Sequence, residues 1–177
     1  VLVPSGPADR METGALMFFS LIGAAQRRVW IASPYFVPDV DVLSALKAAA
    51  LGAVEVRILV PEEIDHYLPW LAAFAYFDEM RDAGVEIWRY QEGFMHQKAV
   101  LVDDAIAAVG TANLDNRSFR LNFEAMAVVF DTAFAEEVET MLRADFARAS
   151  RLEARLREQP LPRRVGAVGA RLLAPIL

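Results

Sequence analysis

The chain contains no cysteine. A disulfide frame, a thiolate metal site and a thiol nucleophile are therefore excluded. Histidine is nearly absent too. His66 and His96 are the only two, with neither H-x-x-x-H nor H-E-x-x-H spacing, so no metal site is expected. No apolar run reaches the roughly 18 uncharged residues of a membrane span; the longest candidate, residues 14–25, reads as a buried helix. Positive charge is scarce: 18 Lys and Arg stand against 24 Asp and Glu, a net charge of −6. That total disfavours a nucleic-acid binder, and it leaves any attraction to anionic lipid to be local. A charged start followed by an apolar stretch is also missing, so no signal peptide is visible. The first residue is Val1, which fits an excised domain or a processed fragment. What the chain has in plenty is apolar residues, 55% of 177, enough for one domain with a sizeable core.

Pro4, Gly6 and Pro7 make residues 1–8 look like a linker. Asp9 followed by Glu12 resembles a capping box opening a helix to about Gln26. Residues 28–33 form a short apolar run, a buried strand, and two prolines turn 33–39 into a loop. Asp39 is placed to cap a helix ending near Leu51 and Gly52. Strands are expected at 54–61, 85–90, 98–103, 105–110 and 122–131. Helices are expected at 65–83, stopped by Gly84, and from Thr132 to about Glu158. Alternating strands and helices with a hairpin-like pair indicate a layered α/β/α domain, residues 9–158, around a mixed sheet. There is no internal repeat.

The informative string is HQKAVLVD at 96–103, followed by GTANLDNRSF and NFE. It sets His96, Lys98 and Asp103 in the order H-x-K-x-x-x-x-D. A neutral imidazole nitrogen can attack phosphorus and leave a phosphohistidine, splitting one displacement into two. His96 sits just before a strand, where residues two apart share a face, so His96 and Lys98 fall on one rim. Lys98 can hold a non-bridging phosphate oxygen and stabilise charge in the transition state. Asn113 can donate an amide hydrogen bond to the same oxygens. Thr111 can add a hydroxyl, with Gly110 beside it allowing a close backbone approach. Glu124 can accept from the far ring nitrogen of His96 and set its tautomer; the plain alternative is a pairing with Arg117 or Arg120. Asp103 ends the strand and suits tying backbone together better than touching substrate. With a lysine supplying the positive charge, no cofactor is needed, and activity should resist chelators.

These residues make the chain resemble the phospholipase D superfamily, and within it the bacterial cardiolipin synthases. IASPYFVPD, VRILVP, AGVEIWRYQEGFMHQKAVLVDD and GTANLDNRSFRLNFE carry the likeness, which covers most of residues 1–150. The resemblance implies a phospholipase D-like fold in which two motif-bearing halves meet. One histidine forms the phosphohistidine; the other protonates the leaving alcohol and then activates the acceptor. It implies transfer of a phosphatidyl group between two phosphatidylglycerols, giving cardiolipin and glycerol. It assigns His96, Lys98 and Asp103 to the motif, Asn113 to the phosphate and Glu124 to the orienting carboxylate. The same stretches resemble the carboxy-terminal half of such synthases, and because the motif occurs once a second half is implied. The partners would be an anionic phospholipid, a second half from the same full-length chain or a homodimer, and the bacterial cytoplasmic membrane surface, with no nucleic acid. A homodimeric phosphodiesterase that cuts nucleic acid, or a non-catalytic lipid-binding half, are the alternatives.

Tyr35, Phe36, Phe94 and Met95 fall in loops at the strand ends and are candidates for lipid contact. The tail, residues 159–177, carries Arg163, Arg164 and Arg171 with no acid. It is read as a strap that packs on the domain or on a missing neighbour, with a membrane-surface segment as the alternative. Gly166, Gly169 and Pro175 argue against a helix there.

Overall fold

The computed structural model describes residues 1–177. Ten strands are present: β1 (Leu2–Ser5), β2 (Arg28–Ala32), β3 (Phe36–Val37), β4 (Glu55–Pro61), β5 (Glu86–Tyr90), β6 (Ala99–Val102), β7 (Ile106–Gly110), β8 (Leu114–Asp115), β9 (Glu124–Phe130) and β10 (Ala149–Arg151). Six α-helices accompany them: α1 (Thr13–Ala24), α2 (Val40–Leu51), α3 (Tyr67–Asp82), α4 (Asn116–Arg120), α5 (Thr132–Ala147) and α6 (Leu161–Arg171). Eight strands form one sheet in the order β1-β9-β7-β6-β2-β4-β5-β10, and β3 pairs with β8 separately. β2, β4 and β5 run parallel, while β6 returns antiparallel to β2 and starts a meander through β7 and β9. The expected layered α/β architecture with a mixed sheet is what the structure shows.

Period-two alternation explains the layering. In β2, Val29 and Ile31 join the larger core, while Trp30 and Ala32 join the smaller one. The larger core draws on α1, α2 and α3. The smaller one is closed by α5, through Ala135, Val138, Leu142 and Phe146. Covered on both faces, the central strands are apolar throughout, as in β6, whose four residues are all buried.

Several local expectations change. Residues 1–8 are not all linker, because Leu2–Ser5 add an edge strand antiparallel to β9. An edge accepts Pro4, whose missing N–H leaves no ladder bond unmade on the solvent side. The capping box at Asp9 and Glu12 is not built. The Asp9 carboxylate accepts from the Met11 and Thr13 N–H groups at 3.0 and 2.7 Å, Glu12 has φ 52°, and α1 starts at Thr13. Asp39 does cap α2, accepting from Val42 N–H at 2.9 Å. The helix expected to reach Glu158 ends at Ala147, and Ala149–Arg151 become strand β10 on the free edge of β5. An Ala-, Glu- and Arg-rich sequence favours helix locally, but pairing with β5 and burial of Leu152 outweigh propensity. The tail forms α6 despite its glycines. At Gly166 an added Cβ would lie 2.8 Å from Leu71 Cδ2, so glycine is what lets α6 approach α3. No helix is long and apolar enough to cross a membrane.

Candidate active site

β6 carries the motif across the sheet and separates its members. His96 and Lys98 precede the strand; Asp103 follows it, roughly 20 Å away by strand rise. At the leading end the Lys98 ammonium lies 2.9 Å from His96 Nδ1 and 3.3 Å from Nε2, and donates to the His96 carbonyl at 2.7 Å. An ammonium can only donate, so the ring nitrogen it contacts is held as an acceptor. Desolvation and then the Lys98 charge hold the His96 pKa below its ordinary value, against the opposing charge of Asp65. The Lys98 pKa is lowered by desolvation as well, although the charges of Glu124 and Asp115 work the other way. Desolvation and the Lys98 charge both favour the neutral imidazole, beside a cation on which the charges of two carboxylates act.

At the trailing end Asp103 has φ 51°, and its carboxylate accepts from the N–H groups of Gln26, Arg27 and Arg28 at 2.9, 2.8 and 3.0 Å. Burial alone would raise its pKa, but these three amides prevail and hold it below the usual carboxylate range. Asp103 ties the turn after β6 to the start of β2.

Asn113 and Tyr35 meet because β3 pairs parallel with β8, Phe36 opposite Leu114. Ser33 Oγ holds this crossing, donating to Tyr35 O at 2.7 Å and accepting from Leu114 N–H at 2.9 Å. Together they wall a cleft of about 520 Å³, with Asp115, Arg117, Asn122 and Leu177 in its lining. His96 and Lys98 do not line it. The connection runs through Tyr35, whose hydroxyl donates to Asp65, the carboxylate whose charge acts on His96. Asn113 Oδ1 is buried with no partner. A buried acceptor without a partner costs about 1–3 kcal/mol, which a ligand hydroxyl donating to it would relieve.

The structure moves other candidates away. Glu124 does not contact His96 or either arginine. Its Oε1 accepts from Ser118 Oγ at 3.2 Å and Asn122 Nδ2 at 3.1 Å. Arg120 pairs instead with Glu12 and Asp39. Thr111 Oγ1 accepts from Ala125 N–H at 2.9 Å, so its hydroxyl is spent on the β7–β9 pairing. Gly110 serves the same crossing, since a Cβ there would stand 2.2 Å from Ala125 O. Phe36 is 1% exposed and packs against Phe77 at 5.7 Å, so it is core and not a lipid contact. Met95 is buried in the smaller core. Phe94, 39% exposed with its ring 5.5 Å from His96, remains at the rim, and Tyr35 lines the cleft.

Sequence reasoning missed Ser118, Asp115, Asp65 and Arg117. Ser118, buried behind the cleft lining, links two of its residues: its N–H donates to Asp115 at 2.6 Å and its Oγ accepts from Asn113 N–H at 3.0 Å. The signal was present as Asp115 three residues before Ser118, a helix-cap spacing. Burial pushes the Asp115 pKa up, against its hydrogen bonds from Ser118 and Asn113. Arg117 lines the cleft and makes no ion pair, and no local pattern marks it. No group of three or more His, Asp or Glu side chains stands together in metal-holding proximity.

A family model described as "Cardiolipin synthase, PLD-like domain" matches residues 18–146. The chain belongs to this family. This phospholipase D-like domain is 54% identical over 179 residues to cardiolipin synthase A of Pseudomonas aeruginosa, covering 99% of this chain and 36% of that protein. To cardiolipin synthase A of Pseudomonas fluorescens it is 51% identical, over 99% of this chain and 37% of the relative. The domain therefore spans little more than a third of these relatives. Among solved structures it is similar to a phosphatidylserine synthase of Haemophilus influenzae, with TM-score 0.74, 18% identity, and coverage of 99% of this chain and 48% of that one. It is also similar to Nuc, a phospholipase D family member of Salmonella typhimurium, with TM-score 0.72, 18% identity, and coverage of 87% and 100%. Both share the fold of this chain.

Proposed function

We propose that this domain is the carboxy-terminal catalytic half of a cardiolipin synthase, working through a phosphohistidine with a second motif-bearing half. The observation that carries the reading is the Lys98 ammonium 2.9 Å from His96 Nδ1 on an exposed rim. That pair can bind a phosphodiester, with Lys98 swinging from the ring to a non-bridging oxygen as substrate arrives. A nitrogen of one histidine of the pair attacks phosphorus, forming N–P as the P–O bond to glycerol breaks. The other histidine protonates that glycerol, then takes the proton from the acceptor hydroxyl as its oxygen attacks and N–P breaks. In this scheme Asn113 meets phosphate or hydroxyl, and Glu124 and Asp103 position what surrounds them. The acceptor is itself an anionic phospholipid, and the unpaired Arg117 in the cleft suits its phosphate.

The test pairs this chain with a second motif-bearing half and supplies phosphatidylglycerol vesicles. Cardiolipin and glycerol should appear in equal amounts, with a phosphatidyl-histidine trapped by denaturation at neutral to alkaline pH, where the N–P bond survives. Labelled DNA is offered in parallel. DNA cleavage without lipid turnover would replace this reading with a homodimeric phosphodiesterase.

A further inference from the structure

A helix on a globular surface normally turns its large apolar residues inward. α6 does the reverse. Towards α3 it presents Gly166, Ala167 and Ala170, with the guanidinium of Arg163 lying 5.0 Å over the Trp70 ring and that of Arg171 4.6 Å over the Tyr76 ring. Outward it presents Leu161, Val165, Val168 and Leu172, all exposed. These four follow i, i+4, i+7 and i+11, and fall within an arc of roughly 60° at 100° per residue. Leu173 and Ile176 continue the exposed apolar surface beyond the helix. The small-residue face seats α6 on the domain, so the stripe stays outward.

The charges beside the stripe say what it meets. Arg157 and Arg164 line a shallow groove of about 500 Å³ with Leu161, Val165 and Val168. Neither arginine is in an ion pair. The one acid in the groove, Asp78, is held by Arg81 at 2.6 Å and by Leu156 N–H at 3.0 Å. Residues 159–177 hold three arginines and no acid, a net +3; the whole chain carries −6, so residues 1–158 carry −9. Arg163 and Arg171 turn inward over aromatic rings, and Arg171 also pairs with Glu79, so Arg157 and Arg164 are the cations left to the outward face of an acidic body, whose repulsion salt screens beyond about 10 Å.

We infer that the outward face of α6 is a docking surface for an anionic phospholipid bilayer. The stripe enters the boundary between headgroups and acyl chains, and Arg157 and Arg164 meet lipid phosphates. α6 rests on α3, whose first residues Tyr67 and Leu68 wall the cleft, so one helix joins the docking surface to the cleft. The inference stands on α6 alone and does not need the transferase reading.

The experiment is co-sedimentation of the 177-residue chain with vesicles of mixed phosphatidylglycerol and phosphatidylcholine, and of phosphatidylcholine alone, at low and high salt. The chain should bind the anionic vesicles and be released by salt. Val168→Asp with Leu172→Asp should weaken binding at least tenfold, and Arg157→Gln or Arg164→Gln roughly fivefold each. All four positions are exposed, so circular dichroism and melting should be unchanged. His96→Ala should bind like the parent, which separates docking from occupancy of the reaction site. Undiminished binding by the stripe variant would overturn the proposal, as would equal binding to phosphatidylcholine. Sedimentation velocity adds one further overturning result: self-association abolished by the stripe variant, with no lipid binding in either protein, would assign the stripe to a second copy.

Discussion

The two ends of strand β6 are built on opposite principles, although one short motif supplies both. At the leading end His96 is exposed, and its only side-chain hydrogen-bond partner is Lys98, a flexible cation. At the trailing end Asp103 satisfies three backbone amides, and the adjoining Arg28 is clamped between Asp104 and Glu139. Side chains that must exchange partners during a reaction cannot be locked in the resting state. Side chains that hold a β-turn to a neighbouring strand gain by being locked. The motif therefore divides into an exposed, loosely held pair and a structural anchor, the part expected of Asp103.

The sharpest way to break this comparison is His96→Ala. Phosphatidyl transfer by the paired halves should fall about 10⁴-fold or more, while the denaturant midpoint stays within error. Persisting turnover would mean that the leading end is not chemical. Asn113→Ala should come next, with a rate loss of about 3 kcal/mol if the amide meets the transition state. A matching loss of stability without a rate effect would make it a turn former. Asp103→Ala should reverse the pattern, costing about 2–3 kcal/mol in equilibrium unfolding as backbone amides lose their acceptor, with transfer per folded molecule kept. Asp103→Asn, which tolerates the left-handed backbone, should cost less.

Two titrations sharpen the contrast further. The Arg28 hydrogen bond holds the Glu139 pKa down to about 2 from its ordinary value of 4.5. A depressed carboxylate contributes stability above its ordinary pKa and loses it as pH falls. About 2 kcal/mol of folding stability, discounted for partial exposure, should therefore disappear between about pH 5 and pH 2. Glu139→Gln should flatten that slope in acid-unfolding curves; an unchanged slope would remove the clamp from the account. The smallest effect belongs to the leading end. Lys98→Gln removes one of the two causes that depress His96, so the ring resonance should titrate at higher pH by nuclear magnetic resonance. No movement would mean that the ammonium does not sit beside the ring in solution.

Most of the layered core was legible because its signals are local. The apolar runs at β2, β4 and β6 and the caps at Asp39 and Gly84 declare themselves within a few residues. The pairing of His96 with Lys98 on one rim was legible for the same reason, as two residues one alternation apart. What failed had a distant partner. Glu124 could be paired on paper with His96, Arg117 or Arg120, and the choice of Ser118 and Asn122 depends on how α4 turns between β8 and β9. Phe36 sits in a loop by its prolines, yet the two-residue pairing of β3 with β8 carries it into the core. Arg117 has no pattern at all; only the folded cleft sets it beside Asn113 and Tyr35.

The amino-acid sequence by itself determined the family, the α/β alternation and the placing of an imidazole and an ammonium on one rim, because each is written in spacings shorter than a strand. Only the tertiary structure decided which carboxylate serves which partner, which aromatics face solvent, and that β1, β10 and α6 close the domain. Those outcomes rest on contacts between residues tens of positions apart, such as Asp103 with Gln26, where chain geometry and competing burial choose among partners that local chemistry leaves equivalent.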